Sequence, residues 1–209
     1  MCALAVAFSP LGAGCAGDDI GAGDTMGGEV GDVVELDRID PVCKSDRLPP
    51  VSSCEAAAVA QIPSRGARHV ADGALGYVDS PPSSGDHRPA WARWGEYDYL
   101  PPQRWLHNLE HGGIAFLYDP CVDDGLVTQL RGLARAMDPD GDGAFRWVLT
   151  PYPNLPARVA AVAWEWTWQG ACLDASATAA REAFVAEHYR KAPEDVAADG
   201  SYDVGWIGR

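Results

Sequence analysis

The chain is poor in positive charge. Its 209 residues carry 16 Lys and Arg against 30 Asp and Glu, a formal charge of −14. A polyanion repels phosphate backbones and anionic headgroups, which argues against nucleic acid as a partner and leaves membrane contact to a lipid anchor alone. There is no C-x-x-C pair, so neither a thioredoxin-type redox motif nor a Cys-rich zinc site is expected. A G-x-S-x-G elbow, a glycine-rich phosphate loop and a dinucleotide fingerprint are all missing, and there is no internal repeat. The apolar run at the start is far shorter than the ~20 residues that a membrane-spanning helix needs. What the chain does have is a composition, 47% hydrophobic, that can bury a proper core.

Residues 1–15 form an apolar run that ends in small residues before Cys15, the pattern of a secretory segment without its basic start. Gly12-Ala13-Gly14-Cys15 resembles a bacterial lipoprotein signal, which makes Cys15 the candidate for lipidation and the chain extracytoplasmic, either membrane-anchored or secreted. Residues 16–36 are rich in Gly and Asp and read as a flexible tether. A single globular domain is expected over 37–194, with a polar tail over 195–209. Beyond Cys2 and Cys15, four cysteines remain: Cys43, Cys54, Cys121 and Cys172. An even number in an exported chain implies disulfides. Three pairings are open, and Cys43–Cys54 with Cys121–Cys172 is favoured.

The expected architecture is α+β: a mainly antiparallel sheet with helices packed on one face, preceded by a disulfide-pinned irregular segment. A short helix starts near Ala56 and stops before Pro63, and a strand covers His69 to Tyr77. Pro102 suits the first position of a helix that runs to His111, where Gly112 can end it. A strand follows from Gly113 to Tyr118. Leu126, Leu130, Leu133, Ala134 and Met137 recur at helical spacing over 125–137. Further strands are expected over 146–150 and, as one long strand, over 159–168. There Trp164, Trp166 and Trp168 would alternate onto one face. A last helix covers 178–189.

Three of the five histidines fall between Pro81 and Gly113. His107 and His111 stand four apart, which on a helix places two imidazoles on one face, a spacing that suits a shared cation. Glu110 between them gives the string H-x-x-E-H, in which a glutamate activates a metal-bound water. His87, on a loop shaped by proline and glycine, and His69 upstream extend the set. Three or four imidazoles suit Cu²⁺ or Zn²⁺. The expected metal site is therefore His87, His107, His111, Glu110 and His69, with a metal ion or small ligand as the partner. A metal-dependent hydrolase with Glu110 as base is the alternative, and a structural domain whose histidines only make hydrogen bonds is the third reading. Asp138-Pro139-Asp140-Gly141-Asp142-Gly143 matches the first half of a calcium loop, but Leu149 stands where the bidentate Glu belongs. Calcium is therefore not expected.

Pro81-Pro82-x-Ser84-Gly85-x-His87, Trp91, Trp94-Gly95-x-Tyr97, His107-Asn108-Leu109-Glu110-His111-Gly112 and Tyr118-Asp119-Pro120 together resemble the domain-of-unknown-function 3105 family. The likeness runs more loosely through Thr150-Pro151, Ala163-Trp164 and Tyr189-Arg190 to Glu194. It implies a bacterial, exported, lipidated or membrane-tethered protein, and no activity comes with it. Ser83, Asp86 and Arg88 depart from the pattern, where Thr, Pro and an aromatic residue are expected.

Overall fold

The computed structural model describes residues 41–49, 51, 54, 57–153 and 155–209. The expected leader over 1–15 with its Cys15, the tether over 16–36 and residues 37–40 lie outside the described residues. The elements follow one another as β1 (Ala58–Gln61), β2 (Gly95–Tyr97), α1 (Pro102–Glu110), β3 (Ile114–Tyr118), α2 (Asp124–Arg135), β4 (Trp147–Pro151), β5 (Val159–Ala163), β6 (Trp166–Gly170), α3 (Ala175–His188) and β7 (Trp206–Gly208). The strands make one sheet in the order β1-β6-β5-β3-β4-β2-β7. β3–β4 and β4–β2 are parallel and the other pairings antiparallel. This is the α+β class with a mainly antiparallel sheet.

β3 sits at the centre because its residues are apolar on both sides. Ile114 and Phe116 face one core cluster, Ala115 and Leu117 the other. A strand buried on both faces needs a cover on each. α2 and α3 supply one, burying Leu126, Leu130, Ala134, Ala177, Phe184 and Val185 with Phe116, Leu149 and Trp168. α1 covers the opposite face, where Trp105, Leu106 and Leu109 pack on Ala115, Leu117 and Val148. The expectation of helices on one face thus holds for α2 and α3, and α1 is the exception. Asp123 and Asp174 cap α2 and α3, their carboxylates accepting from Leu126 N at 3.0 Å and Ala177 N at 2.8 Å.

Several local expectations are corrected. Ala58–Gln61 is a strand paired antiparallel with β6, not the end of a helix. So short an apolar stretch cannot nucleate a helix alone, and edge pairing decides its state. Residues 70–77 form no strand. The Arg88 guanidinium takes the carbonyls of Val70 and Gly73, at 3.1 and 2.7 Å, which a ladder would need. Residues 159–168 are a hairpin, β5 and β6, turning at Trp164–Glu165, with Glu165 at φ 63°. Trp164 therefore lies in the cluster under α1, and Trp168 in the cluster under α2 and α3. The disulfides join Cys43 to Cys121 and Cys54 to Cys172, the reverse of the favoured pairing. Each ties the irregular lead-in to a distant loop, one after β3 and the other after β6. Two disulfides mark an oxidising, extracytoplasmic setting. Among the described residues no helix is long and apolar enough to cross a membrane.

Candidate metal centre

The site lies on the α1 side of the sheet, built from three pieces of chain. The first is the loop before His87. Gly85 holds φ at +120°, a conformation that costs other residues a Cβ clash. Its carbonyl thereby turns back onto the His87 ring, accepting from Nδ1 at 2.8 Å. The second piece is α1, which presents His107 and Glu110 three positions apart on one side. Asn108 fixes its rotation by clamping the Ala92 backbone, accepting from the Ala92 N–H at 2.9 Å and donating to the Ala92 carbonyl at 2.8 Å. The third is the irregular segment that carries His69. It lies along the loop as a parallel bridge, with Val70 N donating to the His87 carbonyl at 2.8 Å and His87 N to the Arg68 carbonyl at 3.0 Å. Asp86 pairs with Arg68, and Arg88 holds Val70 and Gly73, so two of the three departures from the family pattern fasten this segment.

These pieces bring four side chains to one point. His69, His87, His107 and Glu110 each offer a ligand atom, and those atoms all lie within 4.8 Å of one another. One oxygen, Glu110 Oε2, faces the Nε2 atoms of His87, His69 and His107 at 3.0, 3.3 and 3.9 Å. The ring centroids are separated by 4.9 Å (His69–His87), 4.9 Å (His87–His107) and 4.5 Å (His69–His107). An imidazole bound at 2.0–2.1 Å keeps its ring centre roughly 3.2 Å from the ion, so two ligands at a right angle stand about 4.5 Å apart and two at the tetrahedral angle about 5.2 Å. All three separations fall in that interval. The carboxylate distances likewise bracket the ~3.4 Å between neighbouring ligand atoms of a tetrahedral zinc or copper ion. The ligand atoms lie up to 4.8 Å apart, so the widest gap would close by up to about 1.4 Å on binding.

The hydrogen bonding sharpens the geometry. A backbone carbonyl only accepts, so the 2.8 Å contacts of His87 Nδ1 to Gly85 O and of His107 Nδ1 to Arg88 O place a proton on each Nδ1. In the neutral ring each Nε2 then carries a lone pair. The Nε2 atoms of His87 and His107 lie 3.0 and 3.9 Å from Glu110 Oε2, itself an acceptor, and all three side chains are buried. Burial pushes the His107 imidazole down to about 3, against the opposing pull of the Arg88 carbonyl, and His107 is therefore neutral at pH 7. Converging acceptors in a buried pocket need a donor or a positive charge between them, and a cation at the centre would supply it to all of them at once.

His111 lies beside this group and outside it. α1 ends at Glu110, and His111 caps it, its N–H donating to the His107 carbonyl at 3.1 Å. Its ring lies 4.7 Å from that of His107, but its Nε2 turns to Glu194 at 3.1 Å. Burial holds the imidazole below its usual range, with Glu194 pulling the other way. Trp91 packs over both rings, 5.0 Å from His107 and 4.4 Å from His111. Behind them the chain returns, Arg190 N donating to the Gly112 carbonyl at 2.9 Å and Glu194 N to the Glu110 carbonyl at 3.0 Å. Glu194 as the partner of His111 was not legible in the sequence, because nothing local connects positions 83 apart. The acidic turn at 138–143 is elsewhere. Its Asp140 and Asp142 carboxylates face the Tyr189 hydroxyl at 2.5 Å and the Arg190 guanidinium at 2.6 Å.

No curated protein and no solved structure matches the chain. One family does, described as Protein of unknown function (DUF3105), over residues 69–201. The matched span opens on His69 and takes in every side chain of the site, and the chain belongs to that family.

Proposed function

We propose that this protein binds one transition-metal ion, copper or zinc, through His69, His87, His107 and Glu110, outside the cytoplasm. The observation that supports this best is the convergence in one pocket: two imidazoles whose Nδ1 atoms are tied to carbonyls, leaving Nε2 turned inward toward one carboxylate oxygen. Backbone carbonyls hold the outer nitrogens of His87 and His107, as is usual for metal-bound histidines, where that contact fixes the tautomer. Neutral imidazoles with a single carboxylate suit Zn²⁺ and Cu²⁺ better than calcium, which takes six or more oxygens. Glu110 acts as a ligand in this reading. The sequence also supports a tether and a lipid anchor at Cys15, which would keep the site at the outer face of a bacterial membrane.

The test is metal analysis of the purified full-length chain together with calorimetric titration by Zn²⁺ and Cu²⁺. One equivalent bound, and lost in His87→Ala and in His107→Ala variants that still melt cooperatively, is the expected outcome. Wild-type protein that binds neither ion at micromolar concentration refutes the proposal.

A further inference from the structure

Four ligands converge, yet they are not held alike. The side chains of His87 and His107 are 0% and 3% exposed and that of Glu110 is 7% exposed, whereas that of His69 is 46% exposed. His87 and His107 each have the outer nitrogen tied to a carbonyl; among the described residues no hydrogen bond orients the outer nitrogen of His69. The His69 backbone is nonetheless fastened on both sides, by the bridge to His87 and by the pairing of Arg68 with Asp86. Releasing this ligand therefore takes only a rotation about its side-chain bonds, a motion that exposed residues make in picoseconds to nanoseconds. The buried ligands have no such freedom, because turning either ring would break a buried hydrogen bond.

From this asymmetry, and resting on the metal-binding reading above, we infer that His69 is a displaceable ligand and that its position accepts an imidazole-type donor from outside the chain. His87, His107 and Glu110 form the part that retains the ion. The place His69 occupies is shaped for a flat heterocycle. One side of it is the His107 ring, stacked at 4.5 Å and 29°, and one edge is Glu110 Oε2 at 3.3 Å. The outer side is solvent. A histidine of another polypeptide, or a small free imidazole, meets the same three features. The metal then enters and leaves through the His69 side, by ligand exchange and without unfolding of the site.

Co²⁺ serves as the probe, since its visible spectrum reports ligand number and type. The full-length wild type and His69→Ala are titrated with Co²⁺, then with imidazole and with a blocked tripeptide carrying one histidine. His69 is half exposed, so its removal leaves the fold intact. His69→Ala is expected to bind one equivalent with a Kd raised at least roughly 100-fold, since losing a ligand costs no less than losing an outer partner of one. Millimolar imidazole is expected to restore the wild-type spectrum. Rescue by imidazole alone identifies a small-molecule ligand; rescue by the tripeptide as well identifies a histidine of another chain. Loss of all Co²⁺ binding in His69→Ala, or a spectrum that ignores both donors, overturns the inference and leaves the four-ligand site standing. A wild type that binds no Co²⁺ overturns both.

Discussion

Replacing Glu110 with Gln separates a metal site from a structural ion pair. If the pocket exists for a cation, then without one it holds an acceptor against acceptors and needs an extra proton. Gln offers an N–H where Oε2 stands, 3.0 Å from His87 Nε2. It can donate to a neutral imidazole without placing a charge in the core. One such bond is worth about 0.5–1.5 kcal/mol. In a protein of this length 1 kcal/mol moves Tm by roughly 2–4 °C, so metal-free Glu110→Gln should melt at or a few degrees above the metal-free wild type. The metal response should disappear. Zn²⁺ at 100 times its Kd adds about 2.7 kcal/mol to the wild type, an upward shift of roughly 5–11 °C. The structural alternative predicts the opposite. Were a His87 imidazolium paired with Glu110 only to hold the loop, removing the carboxylate would cost about 3–5 kcal/mol and lower Tm by roughly 6–20 °C. Differential scanning calorimetry at pH 7, with chelator and with Zn²⁺, decides between them. A metal-free variant that melts more than 6 °C below the wild type refutes the reasoning, as does a variant that keeps the Zn²⁺ shift.

Three further outcomes follow from the geometry. His111→Gln should still bind one equivalent of Zn²⁺ within about tenfold of the wild-type affinity, because His111 Nε2 faces Glu194; a loss of 100-fold or more would place His111 among the ligands. Gly113→Ala should lower stability by about 1–3 kcal/mol in chemical denaturation, since its Cβ would meet Trp94 Cζ3 at 2.5 Å and that indole is pinned by its N–H to the Ala198 carbonyl. His188 is buried, stacked 4.4 Å from Trp166, and burial holds its imidazole below the usual 6.5. The unfolded chain therefore takes up a proton near 6.5 that the folded chain refuses. The contribution of His188 is complete above 6.5 and declines as the pH falls below it, by at most about 1.4 kcal/mol per pH unit. Unfolding free energies at pH 7 and pH 5 should differ less in His188→Phe than in the wild type, and an equal difference would contradict the assignment.

The site was legible in the sequence where chemistry is local. Gly85 beside His87, Pro102 at a helix start, and His107 and Glu110 three apart are short-range signals, and each does in the fold what its neighbours announce. His111 shows the limit of that kind of evidence. Spacing of four puts it near His107, but α1 ends one residue earlier, and the ring takes the partner that the returning chain offers. The strands β3 and β4 were legible from unbroken apolar runs. β2 and β7 were not, being three residues each and defined by pairing with one another and with β4. The division of β5 from β6 depends on one residue, Glu165, adopting a positive φ inside a run of β-formers. Cysteine pairing lay beyond any local signal, because each bridge joins the lead-in to a loop 78 or 118 residues away.

The return of the chain behind α1 has a consequence for the order in which the molecule is completed. Synthesis proceeds from the N-terminal side, so His69, His87, His107 and Glu110 are all made before β4. The backbone partners of Gly112 and Glu110, at Arg190 and Glu194, emerge some eighty residues later, and the strand that closes the β2 edge later still. A nascent or truncated chain ending near residue 185 would thus carry all four clustered side chains, while α1 lacked its backing and β2 its outer neighbour. On the metal-binding reading proposed above, competence to hold an ion would belong to the finished chain, and a protein exported before folding would first acquire it outside the cytoplasm.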